Sequence, residues 1–547
     1  MSLPPDSLDP IPDETARIAQ ASFPKGTLAL VVREVLGTIY HDGMFADLFS
    51  SVGQPALAPW RLALVTILQY AEHLTDRQAA HAVRARIDWK YALALPIEHP
   101  GFEFTALATF RERLLAGGAE ERLLWALLEQ CQEQGLLRKR GRVRTDSTHV
   151  LAAVRSLNRV ELVGETLRAA LEAVAVAAPD WLRAQVTAEW AERYGRRVEE
   201  YRLPEGEEQR QILADEIGRD GAHLLRAIRG EGAPSWLSEL PAIGCLRQVW
   251  TQQYDQPETS PRFRPTDALP PAHDLIASPY DTEARWGKKR QVRWVGYKAH
   301  VTESCEPDLP ALITAVETTP APVPDQAMLE PIWEDLAARD LLPGEHTVDA
   351  GYMDAPALVE AHQREITLIG PLQPDSNWQA RAKAGYTLED FQLDWEAQQA
   401  TCPEGKQSTS WRPITNSRKR EVIQVHFRTT DCRACPVQAR CTTATRRSLT
   451  LLPHVAHEAR QAALVRQETA EFREQYRIRA GVEGTICQAV RRTGLRRARY
   501  RGLAKVHLEH CAEATAVNLI RLVDYVAGTP RTRTRQSHLT RVLAEAA

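Results

Sequence analysis

Three acidic residues stand where acids are unusual. Asp146 sits in the middle of G-R-V-R-T-D-S-T-H-V-L (141–151), whose alternation is that of a strand. An acid there is disfavoured by strand propensity and, if buried, needs partners for its charge. Asp349 closes the apolar run of E-H-T-V-D-A-G-Y (345–352), where a Gly turn follows the strand. In open α/β sheets ligands gather beyond the carboxyl ends of strands; a lone Asp there also reads as a turn cap. Glu483 is the lone carboxylate of Y-R-I-R-A-G-V-E-G-T-I-C (476–487). Tyr476, Arg479, Glu483 and Cys487 fall at i, i+3, i+7 and i+11, one face of a helix. Two strand carboxylates and one helix carboxylate make a hard-oxygen set suited to Mg²⁺ or Mn²⁺. Two such ions about 3.5–4 Å apart activate a nucleophile and stabilise the leaving oxygen of a phosphodiester. Spacing alone does not bring the three acids together; the fold must.

The C-terminal stretch is also basic, with seven Lys or Arg and no acid from Arg491 to Lys505. Such a run neutralises phosphates without reading sequence. Arg491, Arg496, Arg497, Arg499, Arg501 and Lys505 are the expected contacts, and Tyr500 either stacks on a base or packs. A second basic cluster spans 285–298 and ends at Lys298; for His300 beyond it a structural role is the stronger reading. These clusters interrupt a chain of formal net charge −3 whose 181–220 stretch is acidic. That asymmetry points to a shaped anion-binding face, with solvated helix faces the plain alternative for either cluster alone. Cys402, Cys432, Cys435 and Cys441 supply four sulfurs. Cys-x₂-Cys is a common half-site for tetrahedral Zn²⁺, and free thiols are the alternative. Cys131, Cys245, Cys305, Cys487 and Cys511 are scattered and read as core.

The elements that must position these groups appear as changes of period. Residues 1–28 read as a flexible tail, and 29–135 as short helices with Arg outside, either a DNA-binding module or an ordinary helical domain. The Asp146 strand opens a catalytic sheet at 136–154, and a mainly helical insertion fills 155–280. Sheet resumes over 281–372, with strands at 294–304 and 310–320, a helix at 324–340 opened by Pro and Asp, the Asp349 strand, a helix, and a strand at 366–372. The rhythm is lost in a Cys-rich insertion at 373–460, helical period returns over 461–527, and 528–547 is a basic tail. That order predicts an α/β fold, a mixed sheet layered with helices.

R-T-D-S-T-H (144–149), W-V-G-Y-K-A-H (294–300), V-D-A-G-Y (348–352) and Y-R-I-R-A-G-V-E-G-T (476–485), in that order, strongly resemble the DDE transposases of bacterial insertion sequences. The last motif resembles the Tyr-x₂-Arg-x₃-Glu-x₆-Lys signature of the IS4-type superfamily: Tyr476, Arg479 and Glu483 match, while Val490 stands at the Lys position with Arg491 next. R-A-R-Y-R-G-L-A-K (497–505) and the Cys-rich segment resemble a large branch of these enzymes, and L-T-D-R-Q-A and R-I-D-W-K resemble their N-terminal domain. The resemblance runs from about 30 to 525. It implies an RNase H-like catalytic domain, a metal triad of Asp146, Asp349 and Glu483, and phosphate contacts from Tyr476 and Arg479. It also implies Mg²⁺-dependent cutting at terminal inverted repeats, strand transfer of the freed 3′-OH into target DNA, and a dimer or larger assembly on double-stranded DNA.

The length, 547 residues, predicts two to four domains, and 44% hydrophobic with 25% charged residues is ordinary for a globular protein. No apolar run approaches the roughly 18 residues of a membrane span. The acidic N-terminus has no secretory pattern, and nine Cys without one predict reduced thiols in a cytosolic compartment, which the resemblance implies is a bacterial cytoplasm, at the nucleoid. Two other functions stay open: a catalytically inactive, transposase-derived DNA-binding repressor, and an RNase H-like structure-specific nuclease. Retention of all three acids weighs against the first, and the long insertions against the second.

Overall fold

The computed structural model describes residues 2–3, 10–373, 377–382, 384–416, 419–529 and 538–545. The chain divides into two compact units: Met1–Arg138, Asp146–Val323 and Val482–Ala547 form one, and Lys139–Thr145 with Pro324–Gly481 form the other.

The first unit begins with helices. α1 (Asp13–Ser22) lies where the sequence suggests a tail. Its Thr15 and Ala19, four apart on one face, are fully buried, and Thr15 Oγ1 donates to the Leu95 carbonyl at 2.9 Å. The acidic, Pro-rich prefix hides this short amphipathic stretch. In α2 (Pro59–Ala71), opened by Pro at its first turn, every residue except Arg61 is buried. A helix apolar all round has to be enclosed, and α4 (Leu503–Val526) is one of the helices packed on it.

The sheet of this unit takes the second half of β1 (Arg142–Leu151) with β2 (Arg285–Lys289), β3 (Val292–Ser304) and β4 (Ile313–Pro320). β2, β3 and β4 are an antiparallel meander, with Trp286 opposite Val295 and His300 opposite Glu317. The end of β1 joins β3 where the Ala152 N–H donates to the Val295 carbonyl at 3.0 Å. Gly296 makes that junction possible: its φ is +150°, and a Cβ would stand 2.1 Å from the Val150 carbonyl oxygen. α4 covers β4, and Asn518 serves the strand end as a neighbouring strand would. Its Oδ1 accepts the Ile313 N–H at 2.7 Å, and its Nδ2 donates to the Ile313 carbonyl at 2.8 Å. Between β1 and β2, helices Arg159–Ala177, Glu207–Arg229 and Pro241–Gln253 pack around Leu167, Leu246, Trp250 and Tyr254 as a core of their own.

In the second unit, the first residues of β1 pair in parallel with β5 (Glu345–Thr347), which pairs in parallel with β6 (Thr367–Ile369). Helices Leu329–Ala338 and Ala355–Gln363 precede and follow β5. His346, fully buried on β5, is bracketed by Trp333 Nε1 at 2.9 Å and Thr145 Oγ1 at 2.7 Å, and burial pulls its pKa down to about 3. It is a neutral core residue. The stretch expected to lack rhythm holds a three-stranded antiparallel sheet, β7 (Ser408–Thr415), β8 (Glu421–Phe427) and β9 (Ser448–Leu451). Its inner face buries Val425, Phe427, Leu449 and Leu451 with Phe391 and Ala400. Part of the expected basic tail lies outside the described residues. Among those described, no helix is long and apolar enough to cross a membrane.

Candidate active site

Asp146 and Glu483 belong to the first unit. Asp146, 7% exposed in mid-β1, accepts the Ser147 N–H at Oδ1 over 2.8 Å. Glu483 is exposed in the first turn of α3 (Ala480–Arg492), where the helix dipole favours an acid. The chain leaving α3 runs beside β1. The Leu151 N–H donates to the Arg496 carbonyl at 2.8 Å, the Ala498 N–H to the Leu151 carbonyl at 2.9 Å, and Arg496 Nε to Thr148 Oγ1 at 2.8 Å. Thr148 and Asp146 are two apart on a strand and share a face. The strand of the first acid is thus stitched to the basic loop that follows the helix of the second.

α3 is held by a buried ion pair that the sequence did not reveal. Glu303 on β3, fully buried, meets Arg521 of α4 at 2.7 Å. Thr485, two residues beyond Glu483, donates to Glu303 at 2.5 Å and accepts from Arg521 at 2.6 Å, while Arg521 Nε reaches Gln488 at 2.9 Å. With Val482, Thr485, Ile486 and Ala489 turned inward, Glu483 and Cys487 face solvent, so Cys487 is not the core residue expected. Cys131, Cys245 and Cys511 are buried, and Cys305 is half-buried.

Asp349 belongs to the second unit. It follows β5 in a turn where its Oδ1 accepts the Gly351 N–H at 2.8 Å. A Cβ on Gly351 would stand 3.0 Å from Asp349 Oδ1 and 3.3 Å from Asp325 Oδ2. Asp325 is thus a second acid at this turn; its Pro-Asp sequence reads as a helix cap. In register, Arg144 pairs with Thr347.

Tyr476 and Arg479 do not share one helix with Glu483, as their spacing predicts. Helix Ala470–Arg477 ends and α3 begins at Ala480. Arg144 is the physical cause: its Nη1 donates to the Ile478 carbonyl at 2.6 Å, and a Cβ on Gly481 would stand 1.9 Å from that nitrogen. Tyr476 stacks on Phe472 with ring centroids 5.8 Å apart.

Several of the expected DNA contacts are engaged within the protein. Arg499 donates to the Leu74 carbonyl at 2.8 Å and to His73 Nδ1 at 3.0 Å, and lies over the Tyr70 ring. Its own N–H is held by both oxygens of the buried Glu509, at 3.1 and 2.9 Å. Tyr500 packs, with its hydroxyl 3.5 Å from that of Tyr70 and its ring under Arg111. Lys298 donates to the Val323 carbonyl at 2.6 Å, and His300 is fully buried with Nε2 3.3 Å from Thr319 Oγ1. Arg501 lies over Tyr280 with Nε 3.4 Å from the Ala153 carbonyl. Arg491, Arg496, Arg497, Arg501 and Lys505 have exposed surface.

Cys402, Cys432, Cys435 and Cys441 line one cavity of about 330 Å³ in the second unit. Backbone N–H groups of Lys406 and Arg447 point at the Cys402 and Cys432 sulfurs, at 3.3 and 3.4 Å. Burial raises the Cys441 thiol pKa, the other three sulfurs add to the rise, and Arg447 opposes it. Among the described residues, no three of these sulfurs come within 4.8 Å of one another.

Residues 401–523 match the family described as Transposase DDE domain, and residues 18–113 match the one described as Transposase domain. The first match includes Glu483 and all four clustered cysteines; the second begins inside α1. No curated protein matches the chain.

Two stability outcomes follow. Arg521→Met leaves Glu303 buried and unpaired and should cost about 3–5 kcal/mol, whereas Glu303→Leu with Arg521→Met should cost less than the single change; denaturant titrations decide. Burial pushes Glu509 up to about 7 from an ordinary value of 4.5. The folded chain therefore holds a proton that the unfolded chain releases between those values, and this contribution to stability is lost as pH rises through about 7. Glu509→Gln should flatten the fall of the unfolding midpoint between pH 5 and 8.

Proposed function

Since the chain is an insertion-sequence DDE transposase, a DNA-cleaving and strand-transferring enzyme, we propose that Asp146, Asp349 and Glu483 hold its divalent ions, Mg²⁺ or Mn²⁺. One observation carries most of this reading. Within one unit, the buried Asp146 strand is bonded to the Arg496–Ala498 segment, and the helix leading into that segment presents Glu483 to solvent. Glu483 stands on a solvent-facing first turn, and Asp349, in the turn that follows β5, is the third carboxylate of the set. The donor set is all hard oxygen, which fits these ions. When bound, they would supply nucleophile activation and leaving-oxygen stabilisation in phosphodiester chemistry.

The reaction proposed is cleavage at terminal inverted repeats and transfer of the freed 3′-OH ends to target DNA, on a dimer or larger assembly at the bacterial nucleoid. The protein residues position and neutralise. Arg491, Arg497 and Lys505 are exposed to phosphate. Arg496 and Arg499 keep the loop in place, and Tyr476 and Arg479 approach the backbone near the scissile bond. Val490 is half-buried and Arg491 exposed. Eight residues from Glu483, Arg491 lies about 80° round the helix, near enough for its long side chain to serve in place of the signature Lys.

A structural Zn²⁺ is proposed for Cys402, Cys432, Cys435 and Cys441. Soft sulfur ligands on a shared cavity suit it, and two backbone N–H groups are aimed at two of the sulfurs.

With Mg²⁺ and terminal-repeat DNA, Glu483→Gln should abolish nicking, at least a hundredfold in rate on the scale of removing a transition-state electrostatic group, with duplex affinity retained. Undiminished cleavage would exclude Glu483, and a wild-type protein that binds the ends without cutting would be a repressor. Protein prepared without chelator should carry about one zinc per chain, absent from Cys432→Ser/Cys435→Ser. A metal-free wild type would leave the cluster as free thiols.

A further inference from the structure

The Cys-rich segment holds a strongly basic stretch of its own. Between Lys406 and Arg447 the sequence holds ten Lys or Arg against two acids, in a chain whose formal net charge is −3. The three-stranded sheet gives part of that charge a shape. Strand pairing aligns Arg412, Gln424 and Thr450 across β7, β8 and β9, and Ser410, His426 and Ser448 in the next row. The alternate positions Trp411, Val425 and Leu449 turn to the apolar core. The opposite face is therefore a grid of hydroxyls, an amide and an imidazole with an arginine in it.

Arg412, Ser448 and Thr450 are exposed, as is Arg446 just before β9. His426 Nδ1 lies 2.8 Å from Ser448 Oγ. Partial burial, then Arg446 and Arg412, hold the His426 pKa below its usual value, so both arginines are close to it. None of the six aligned residues is an acid. Two other cations of the segment are engaged elsewhere: Arg420 pairs with Asp354 at 3.3 Å, and Arg447 donates to the Cys441 carbonyl at 2.7 Å.

We propose that this outer face, with Arg412 and Arg446 as its cations and Ser448 and Thr450 as neutral donors, is a phosphate-backbone contact surface for duplex DNA, additional to the 491–505 segment. Charge complementarity selects a polyanion, and the spread of hydroxyl and amide donors suits phosphate oxygens rather than base edges. The choice of duplex DNA rests on the transposase reading.

The test uses the full-length chain and a labelled duplex of arbitrary sequence, with affinity followed against salt. Each lost phosphate contact lowers the log–log salt slope by about 0.9, so Arg412→Gln/Arg446→Gln should lower it by about 1.8 and weaken binding about 60-fold at 0.1 M salt. Arg412→Lys/Arg446→Lys keeps both charges and should keep the slope, which separates phosphate contact from a folding defect. An unchanged slope in the Gln variant overturns the proposal while leaving the transposase reading intact. Loss of slope in the Lys variant also overturns it. If wild type has no duplex affinity, the transposase reading fails first. Tighter binding of an RNA duplex, with the same sensitivity to these arginines, would reassign the face to RNA.

Discussion

The buried ion pair of Glu303 and Arg521 is the constraint on which the first unit depends. A fully buried carboxylate on a central strand is costly to desolvate, and it is retained only with its charge and lone pairs answered. Here Arg521 supplies the charge and Thr485 a further donor, and the Arg521 guanidinium also reaches Thr485, Gln488 and the Ala311 carbonyl. Those partners lie on β3, α3, α4 and the segment before β4. One cluster therefore fixes the rotation of α3 about its axis, and with it the direction in which Glu483 points. An apolar contact would hold the helix as firmly but would tolerate rotation, because packing lacks the directionality of these bonds.

The same logic sorts the arginines. An arginine run looks uniform in sequence, yet burial and hydrogen bonding divide it. Arg499 is spent on Glu509, Leu74, His73 and Tyr70, and Arg496 reaches Thr148. Arg497 and Lys505 remain exposed. Because Glu509 and Glu513 are buried on α4 and both are shifted upward chiefly by burial, the anchor under the loop is an acid that binds a proton near neutrality. The loop thus rests on a carboxylate whose charge is set by its surroundings.

How much of this was legible follows from which forces the sequence displays. Alternation exposed β1, β3 and β4, and the acid in mid-strand marked Asp146, because burial on a sheet leaves a period of two. The role of Arg499 was hidden, since its acidic partner is ten residues away on a helix that reads as apolar. The break between Arg477 and Ala480 was hidden because Arg144, more than three hundred residues earlier, causes it. Asp325 looked like a cap, and only the turn at Gly351 puts it beside Asp349. β7 to β9 were missed because Ser, Thr and Arg fill the outer positions of strands whose inner face is short. Long-range polar pairing and small cores leave little periodic trace.

That small core also bears on why four cysteines sit where they do. The apolar centre of the β7–β9 region is small, made of Phe391, Ala400, Val425, Phe427, Leu449 and Leu451, while the 406–447 stretch carries ten cations. Mutual repulsion works against compaction, and a core of this size offsets little chain entropy. Modules in this regime usually depend on disulfides or a metal. Disulfides would fix the sulfurs in pairs, whereas these four thiols are free and line a common cavity. A bound cation would turn thiol repulsion into attraction, and structural zinc contributes on the order of 10–16 kcal/mol of apparent binding energy in small domains. On this argument, the zinc proposed for the four cysteines would supply the stability that the surface charge removes.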